Sequence, residues 1–168
     1  MLTNRTRLIF AATLNGVPLM ATIEEYTPPP FEFDTEEHRG GRFVPEEMIT
    51  GLKALSSSLK LQGVGLPILA ALGLAPGDDV LLTVQESGVD QDGDDWSVIH
   101  TQSGKLKKFA DDAVKMGEKP MTEIELGLRT YTRLDNGVPM IDVDTRTQKV
   151  VFGGKDMLKG ARRLALLP

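Results

Sequence analysis

Hydrophobic and polar residues alternate along the stretch from Met121 to Asp144, and the alternation predicts two β-strands. Large aliphatic residues stand at every second position of the first half, namely Ile124, Leu126 and Leu128. A period of two is typical of a strand with one buried face and one polar face. Asn136-Gly137 follows, and both residues tolerate a positive φ, as a tight hairpin turn requires. The sequence therefore predicts an antiparallel hairpin and a β-dominated fold.

The same signals recur along the rest of the chain and predict further antiparallel strands. A second Asn-Gly turn, Asn15-Gly16, predicts a hairpin near the N-terminus. The predicted strands are Arg7 to Ala12, Val17 to Ile23, Ser56 to Gln62, Val80 to Glu86 and Asp95 to Thr101, with Lys105 to Phe109 continuing the last or forming another. The connection from Ala110 to Pro120 is polar.

Helical signals are few. The apolar run from Gly65 to Gly73, with Pro67 near its start and a glycine at its end, predicts one short buried helix. The tail from Asp156 to Leu166 is compatible with one helical turn. Val44 to Leu55 is ambiguous, because Pro45 followed by two glutamates is also typical of the first turn of a helix.

The stretch from Glu24 to Arg42 shows neither a helical nor a strand period. It contains three consecutive prolines, Pro28 to Pro30, and the pair Gly40-Gly41. A loop of this length inside a compact domain is unusual unless it has a function or docks on something. Two interpretations stay open: a solvated loop, or an arm that is mobile in a free subunit and becomes ordered against a neighbouring subunit.

Composition narrows the class of protein. The 168 residues include no cysteine and carry a net charge of -5. A disulfide framework and a thiolate metal site are thereby excluded, and a reducing compartment is expected. The acidic balance argues against a sequence-reading DNA-binding protein. We expect a single domain, 1–168, and no apolar run is long enough for a membrane segment.

Four sequence patterns resemble catalytic or ligand-binding motifs, but each lacks a feature that its motif requires. The acidic tip Asp90 to Asp95 has its glycine at the fourth position of a calcium loop, where the sixth is needed. Ser57 to Lys60 spells S-x-x-K on a predicted strand, away from a helix start. Gly153-Gly154-Lys155 lacks the spacing of a phosphate-binding loop. The two histidines, His38 and His100, have no nearby serine or second ligand. We therefore predict no enzyme activity, cofactor or metal.

Several short motifs, taken in order, resemble those of the major tail tube proteins of contractile-tailed, myovirus-type bacteriophages. The resemblance covers most of the chain, although the ending, Leu166-Leu167-Pro168, lacks the glycine of the family's usual final alanine-leucine-glycine-leucine. The matching motifs are Leu14-Asn15-Gly16, Glu37 to Gly41, Leu69 to Gly73, Tyr131 to Gly137, Ile141 to Asp144, Gly153 to Asp156 and Arg162 to Leu166.

The resemblance implies a mainly β fold, a tail-tube-type β-sandwich or barrel of antiparallel strands with one short main helix and a long extended loop. It also implies that Val44 to Thr50 is a strand. Six copies would form a ring, and rings would stack into a virion tail tube assembled in the host cytoplasm. The implied partners are the sheath, baseplate, tail terminator and tape measure proteins, with phage DNA in the lumen. Residues of the long loop are candidate contacts between subunits: Tyr26, Pro29, Glu37, His38, Arg39, Gly40 and Gly41.

The charged face of the strand that begins at Met121 is a second candidate site. If Ile124 and its neighbours face the core, then Glu123, Glu125 and Arg129 point the other way. In a closed ring, that face would line the channel or a subunit seam, and the two glutamates would repeat as acidic rings. Acidic rings would repel DNA and let it slide, whereas a lysine-lined wall would hold it.

Two other functions remain open from the sequence. The first is the tube of a phage-tail-like bacteriocin or of a type VI secretion system, through which no genome passes. The second is a small-ligand-binding β-barrel or a carbohydrate-binding module, which would be monomeric with an aromatic-lined pocket. Only 5% of the residues are aromatic, which counts against the second.

Overall fold

A computed structural model describes residues 4–63, 70 and 73–166 of the chain. The described residues form twelve antiparallel strands and a short helix near the C-terminus. The strands are β1 (Arg5–Leu14), β2 (Val17–Pro18), β3 (Ile23–Thr27), β4 (Phe33–His38), β5 (Glu46–Leu52), β6 (Ser56–Gln62), β7 (Asp79–Asp90), β8 (Asp95–Asp111), β9 (Met121–Asp135), β10 (Val138–Asp144), β11 (Lys149–Phe152) and β12 (Lys155–Asp156), and the helix is α1 (Lys159–Leu164).

Strand β9 is the centre of the main sheet, whose order is β12-β11-β10-β9-β8-β7-β1-β2. One edge of β9 pairs along its length with β8. The other edge is shared, because β6 pairs with the first half of β9 and β10 pairs with the second half. Strand β3 extends the sheet beyond β6. The sheet therefore branches at β9, and the two branches cover different parts of the same inner face.

The core lies between these branches and the inner faces of β1, β7, β8 and β9. Leu59 and Leu61 of β6 meet Ile124 and Leu126 of β9, and all four side chains are at most 1% exposed. The period-two alternation places one face of each strand there and leaves the other face outward. The outward face of the central strands is thereby available for contacts with other molecules.

The predicted strands are confirmed except Val17 to Ile23, where the chain turns between the two-residue strand β2 and the start of β3 at Ile23. Both Asn-Gly pairs form tight turns with positive φ, at Asn15 (47°) and Gly16 (83°) and at Asn136 (48°) and Gly137 (80°). The alternating residues of β9 point into the core as expected. Lys105 to Phe109 continues β8, and α1 supplies the helical turn of the C-terminal tail. The helix predicted from Gly65 to Gly73 lies largely outside the described residues and stays a prediction.

The interpretation of the region around Pro45 as a strand is confirmed, since Glu46–Leu52 is β5. The local helix signal at Pro45 was misleading because β5 pairs with β4, a partner that the local pattern does not reveal. The stretch from Glu24 to Arg42 also differs from the expectation of no regular structure, because β3 ends in it and β4 lies within it. Strand β4 is mostly polar because its side chains are exposed on both faces, which removes the apolar period.

Candidate assembly surfaces

The outward face of β8 and β9 carries paired charges at one end. Glu125 lies 2.9 Å from the ammonium group of Lys107, and Glu123 lies 3.7 Å from that of Lys108. The neighbouring strand β6 adds Lys60 to the same surface, where it pairs with Glu25 at 3.0 Å. The two glutamates predicted to make an acidic surface are therefore neutralised by lysines of the adjacent strand β8, and the surface has mixed charge.

The remaining residue of this predicted site, Arg129, sits further along β9 at a register irregularity. Its guanidinium group lies 3.6 Å from the carboxylate of Asp79 at the start of β7. Its carbonyl accepts a hydrogen bond from the backbone N–H of Thr145. Arg129 thus shares the sheet with Glu123 and Glu125 but pairs with a different strand, and its own contacts do not extend the lysine-glutamate surface.

The other end of the outward face is neutral and rich in hydroxyl groups. Thr13, Thr83, Thr101 and Thr132 lie directly opposite one another in the register of β1, β7, β8 and β9. In the adjoining row, the hydroxyl groups of Ser103 and Thr130 are 2.6 Å apart. Threonine favours strands and adds no charge. This row could not be predicted from the sequence, because its threonines come from four different strands.

The outer edge of β1 is open along most of its length. Strand β2 pairs only with Thr13 and Leu14, and within the described part of the chain no other strand pairs with that edge. Leu8 and Ile9 are 63% and 54% exposed there. The charges that normally protect an edge strand are turned away, because Arg5 forms two hydrogen bonds, of 2.9 and 3.0 Å, to Asp135, and Arg7 pairs with Glu86. This edge is therefore suited to pairing with another chain.

The hairpin formed by β4 and β5 projects from the domain as a separate two-stranded sheet. Five of the predicted loop contacts lie at its tip or in its last residues, and all are exposed: Glu37, His38, Arg39, Gly40 and Gly41. Glu37 stands directly opposite Glu47, a destabilising pair of like charges. Isolated two-stranded hairpins are marginally stable in water. The hairpin therefore has the features of an element that needs a partner.

Tyr26 and Pro29, the other two predicted contacts, pack instead on their own domain. Pro29 is buried, and the Tyr26 hydroxyl donates a 3.3 Å hydrogen bond to Gln102 of β8. Burial raises the pKa of Tyr26 well above its ordinary value. Phe31 continues this packing, with its ring centre 5.0 Å from that of Phe152. The predicted arm therefore begins near Phe33 and not at Glu24.

Hydrogen exchange should separate these two parts of the arm. We expect amides of residues 34–50 to exchange rapidly in a free subunit and slowly in an assembly, because the hairpin packs on no core of its own. The hydrogen-bonded amides of residues 23–27 should be protected in both states, since β3 already pairs with β6 of its own domain. Equal protection of 34–50 in both states would show that the hairpin makes no contact between subunits.

A buried polar network that the sequence did not reveal joins four adjacent strands. His100 is 1% exposed. Its Nε2 atom lies 2.7 Å from a carboxylate oxygen of Glu86, and its Nδ1 atom lies 2.8 Å from the hydroxyl oxygen of Tyr131. Arg7 pairs with the other oxygen of Glu86. The hydrogen bond from His100 and the charge of Arg7 lower the pKa of Glu86, and burial raises the pKa of Tyr131 to about 12.

This network holds the edge strand β1 to the core. Both nitrogens of His100 have partners inside the subunit, and the ring thereby links β8 to β7 and β9. The alternating pattern of β8 predicts that His100 is buried. It does not predict the partners of His100, because they lie on the neighbouring strands β7 and β9. Among the described residues, no group of three or more histidine, aspartate or glutamate side chains is arranged to hold a metal ion.

In the described ranges, no helix is both long and apolar enough to cross a bilayer. A groove of about 480 Å³ at the base of the β4–β5 hairpin is mainly apolar. Its walls include Leu52, Leu55, Leu128 and Leu158. The β-sheet domain therefore presents an open edge, a projecting hairpin and a groove at the base of that hairpin.

Comparison with known proteins identifies the family. The model of the family "phage tail tube protein FII" matches residues 8–165, so the chain belongs to this family of structural tail tube proteins. No curated protein matches the chain.

Three solved structures share the fold at low sequence identity. The sheath-tube complex of an extracellular contractile injection system, PVC, in its extended state contains a chain with a TM-score of 0.54 and 11% identity, covering 75% of this chain and 88% of that one. A chain in the sheath/tube terminator of the same system has a TM-score of 0.53 and 13% identity, and the match covers 75% of this chain and 93% of that one. A chain in the baseplate of the anti-feeding prophage has a TM-score of 0.50 and 13% identity, and the match covers 80% of this chain and 97% of that one.

Proposed function

We propose that six copies of this chain close into a ring and that the rings stack into the inner tube of a contractile tail. The whole chain, 1–168, acts as a single tail tube domain. DNA passes through the channel when the surrounding sheath contracts. Membership of the tail tube family supports the assembly, and the number of copies follows from the resemblance to contractile-tailed phages.

The observation that carries this proposal is the open edge of β1. An unpaired edge with exposed Leu8 and Ile9 would promote uncontrolled aggregation in a monomer, and a closed ring removes it by pairing every edge. The network of Arg7, Glu86 and His100 holds this strand in place before a neighbour arrives. The edge is therefore prepared in the free subunit.

The outward face of β8 and β9 forms the channel wall in this proposal. Duplex DNA carries one negative charge per about 1.7 Å of its axis, so an excess of lysine would retain it. The threonine row is neutral, and Lys107 and Lys108 are balanced by Glu125 and Glu123. A wall with little net charge neither binds DNA nor repels it strongly, which suits rapid passage.

The partners follow from the same assembly. Sheath subunits surround the tube, a terminator caps it, a baseplate holds its other end, and a tape measure protein occupies the lumen before DNA. The similar solved structures include a sheath-tube complex, a sheath/tube terminator and a baseplate, which supports the first three contacts. The particle is assembled in the bacterial cytoplasm and functions as a virion tail.

A second candidate function has a specific observation in its favour. The similar solved structures come from an extracellular contractile injection system and an anti-feeding prophage. The chain would then form the tube of a phage-tail-like particle that carries no genome. Electron microscopy of particles purified from the native host distinguishes these two functions. A phage tail tube would be attached to DNA-filled capsids, whereas the tube of a genome-free particle would be found in tails without capsids.

Electron microscopy of the purified protein across a concentration range tests the assembly itself. We expect rings or tubes that disappear below a threshold concentration. The variant Ile9→Lys places a charge on the exposed edge without disturbing the core and should remain monomeric. If the unmodified protein stays monomeric at high concentration, the proposed function is wrong.

A further inference from the structure

The tip of the β4–β5 hairpin carries an exposed aromatic side chain, and no described residue of the same subunit covers it. Phe43 is 97% exposed, and its neighbour Val44 is 69% exposed. Burying a phenylalanine side chain contributes favourably to association because its large apolar area leaves water. Exposed aromatic residues at the end of a projecting element are typical anchors at interfaces.

The groove at the base of the same hairpin has the matching shape and chemistry. Its volume is about 480 Å³, and its walls are mainly apolar. Leu55, Leu128, Val143 and Val150 form its floor and are each at most 9% exposed. An apolar cavity of about 150 Å³ accommodates benzene, so this groove has room for the Phe43 ring and the Val44 side chain.

Phe43 does not occupy the groove of its own subunit, because its side chain is 97% exposed. On β5 the groove begins at Ile49, which at about 3.3 Å per residue lies about 10 Å from Glu46. The groove is therefore open to the side chain of a second copy.

We infer that Phe43 of one subunit inserts into the apolar groove of a second copy of this chain, lined by Leu52, Leu55 and Leu158. The two surfaces differ, so the contact is head to tail and repeats from copy to copy instead of ending at a dimer. This inference rests on the proposed tube and names the contact that orders the hairpin. It also explains why the hairpin keeps an exposed ring.

The absence of cysteine makes a crosslinking test unambiguous. The double variant Val44→Cys/Met157→Cys keeps Phe43 and places one thiol beside it at the tip and one at the groove, and both parent side chains are exposed, so folding is not at risk. We expect mild oxidation of assembled tubes to give a ladder of covalent multimers on a non-reducing denaturing gel. The matched control, Val44→Cys/Val114→Cys, has its second thiol on an exposed loop outside the groove and should give no ladder.

A second measurement does not depend on introduced thiols. Phe43→Ala should raise the threshold concentration for assembly by about tenfold or more, because the area of the anchor is lost. Val114→Ala removes an equally exposed aliphatic side chain and should leave the threshold unchanged. Normal assembly of Phe43→Ala, or tubes of the double-cysteine variant that yield no ladder, would overturn the inference while leaving the proposed function intact. Failure of the unmodified protein to assemble would instead overturn the proposed function.

Discussion

Gly104→Ala is expected to destabilise the subunit by about 3 kcal/mol or more, a large part of the total stability of an ordinary domain. A Cβ atom at position 104 would lie 2.0 Å from the carbonyl oxygen of Gly127 and 2.8 Å from the Cα of Leu128. Both atoms belong to the backbone of β9, so no side-chain rotation relieves the overlap. The two central strands would have to separate.

Gly127→Ala is the matched control. Gly127 belongs to the same pair of strands, where it lies opposite Lys105, and its added Cβ would meet only the carbonyl oxygen of Lys105, at 4.0 Å. Neither glycine has a positive φ, so backbone strain does not separate the two variants. Urea unfolding of each purified subunit measures the difference in free energy. A difference between the variants of less than about 1 kcal/mol would show that the strands are not this close.

The contrast between these glycines illustrates what the sequence could and could not predict. Alternation identified the inner face of β9, and the Asn-Gly pairs located two turns, because both signals depend on neighbouring residues. The close approach at Gly104 depends on a register shift between β8 and β9. No local pattern in either strand encodes that shift.

The same limit applies to the candidate surfaces. Glu123 and Glu125 were correctly placed on the outward face, but their pairing with Lys108 and Lys107 requires the register of a neighbouring strand. Tyr26 was assigned to a mobile arm because three prolines follow it, whereas its hydrogen bond to Gln102 spans 76 residues. Contacts over such separations are set by the tertiary fold.

The charge reversal Glu123→Lys/Glu125→Lys is expected to leave tubes intact and to impair DNA passage severely. Each substitution changes the charge by two units, so every copy adds four positive units to the proposed wall. Lys107 and Lys108 would lose their partners, and the surface would bind phosphates by releasing counterions. Retention of DNA should weaken steeply as the salt concentration rises, because the affinity depends on the number of phosphates neutralised.

A reciprocal exchange of charges provides the control for this prediction. Adding Lys107→Glu and Lys108→Glu to the double variant restores both ion pairs with reversed polarity and returns the surface to its original net charge. Exposed ion pairs contribute little to stability, so neither variant should unfold. DNA ejection from particles built with each variant is the measurement, with electron microscopy of the tubes alongside.

If passage fails in the double variant and returns in the quadruple variant, the net charge of the wall controls passage. Loss of tubes in both would place these residues at a subunit seam, and normal passage in both would exclude them from the channel wall.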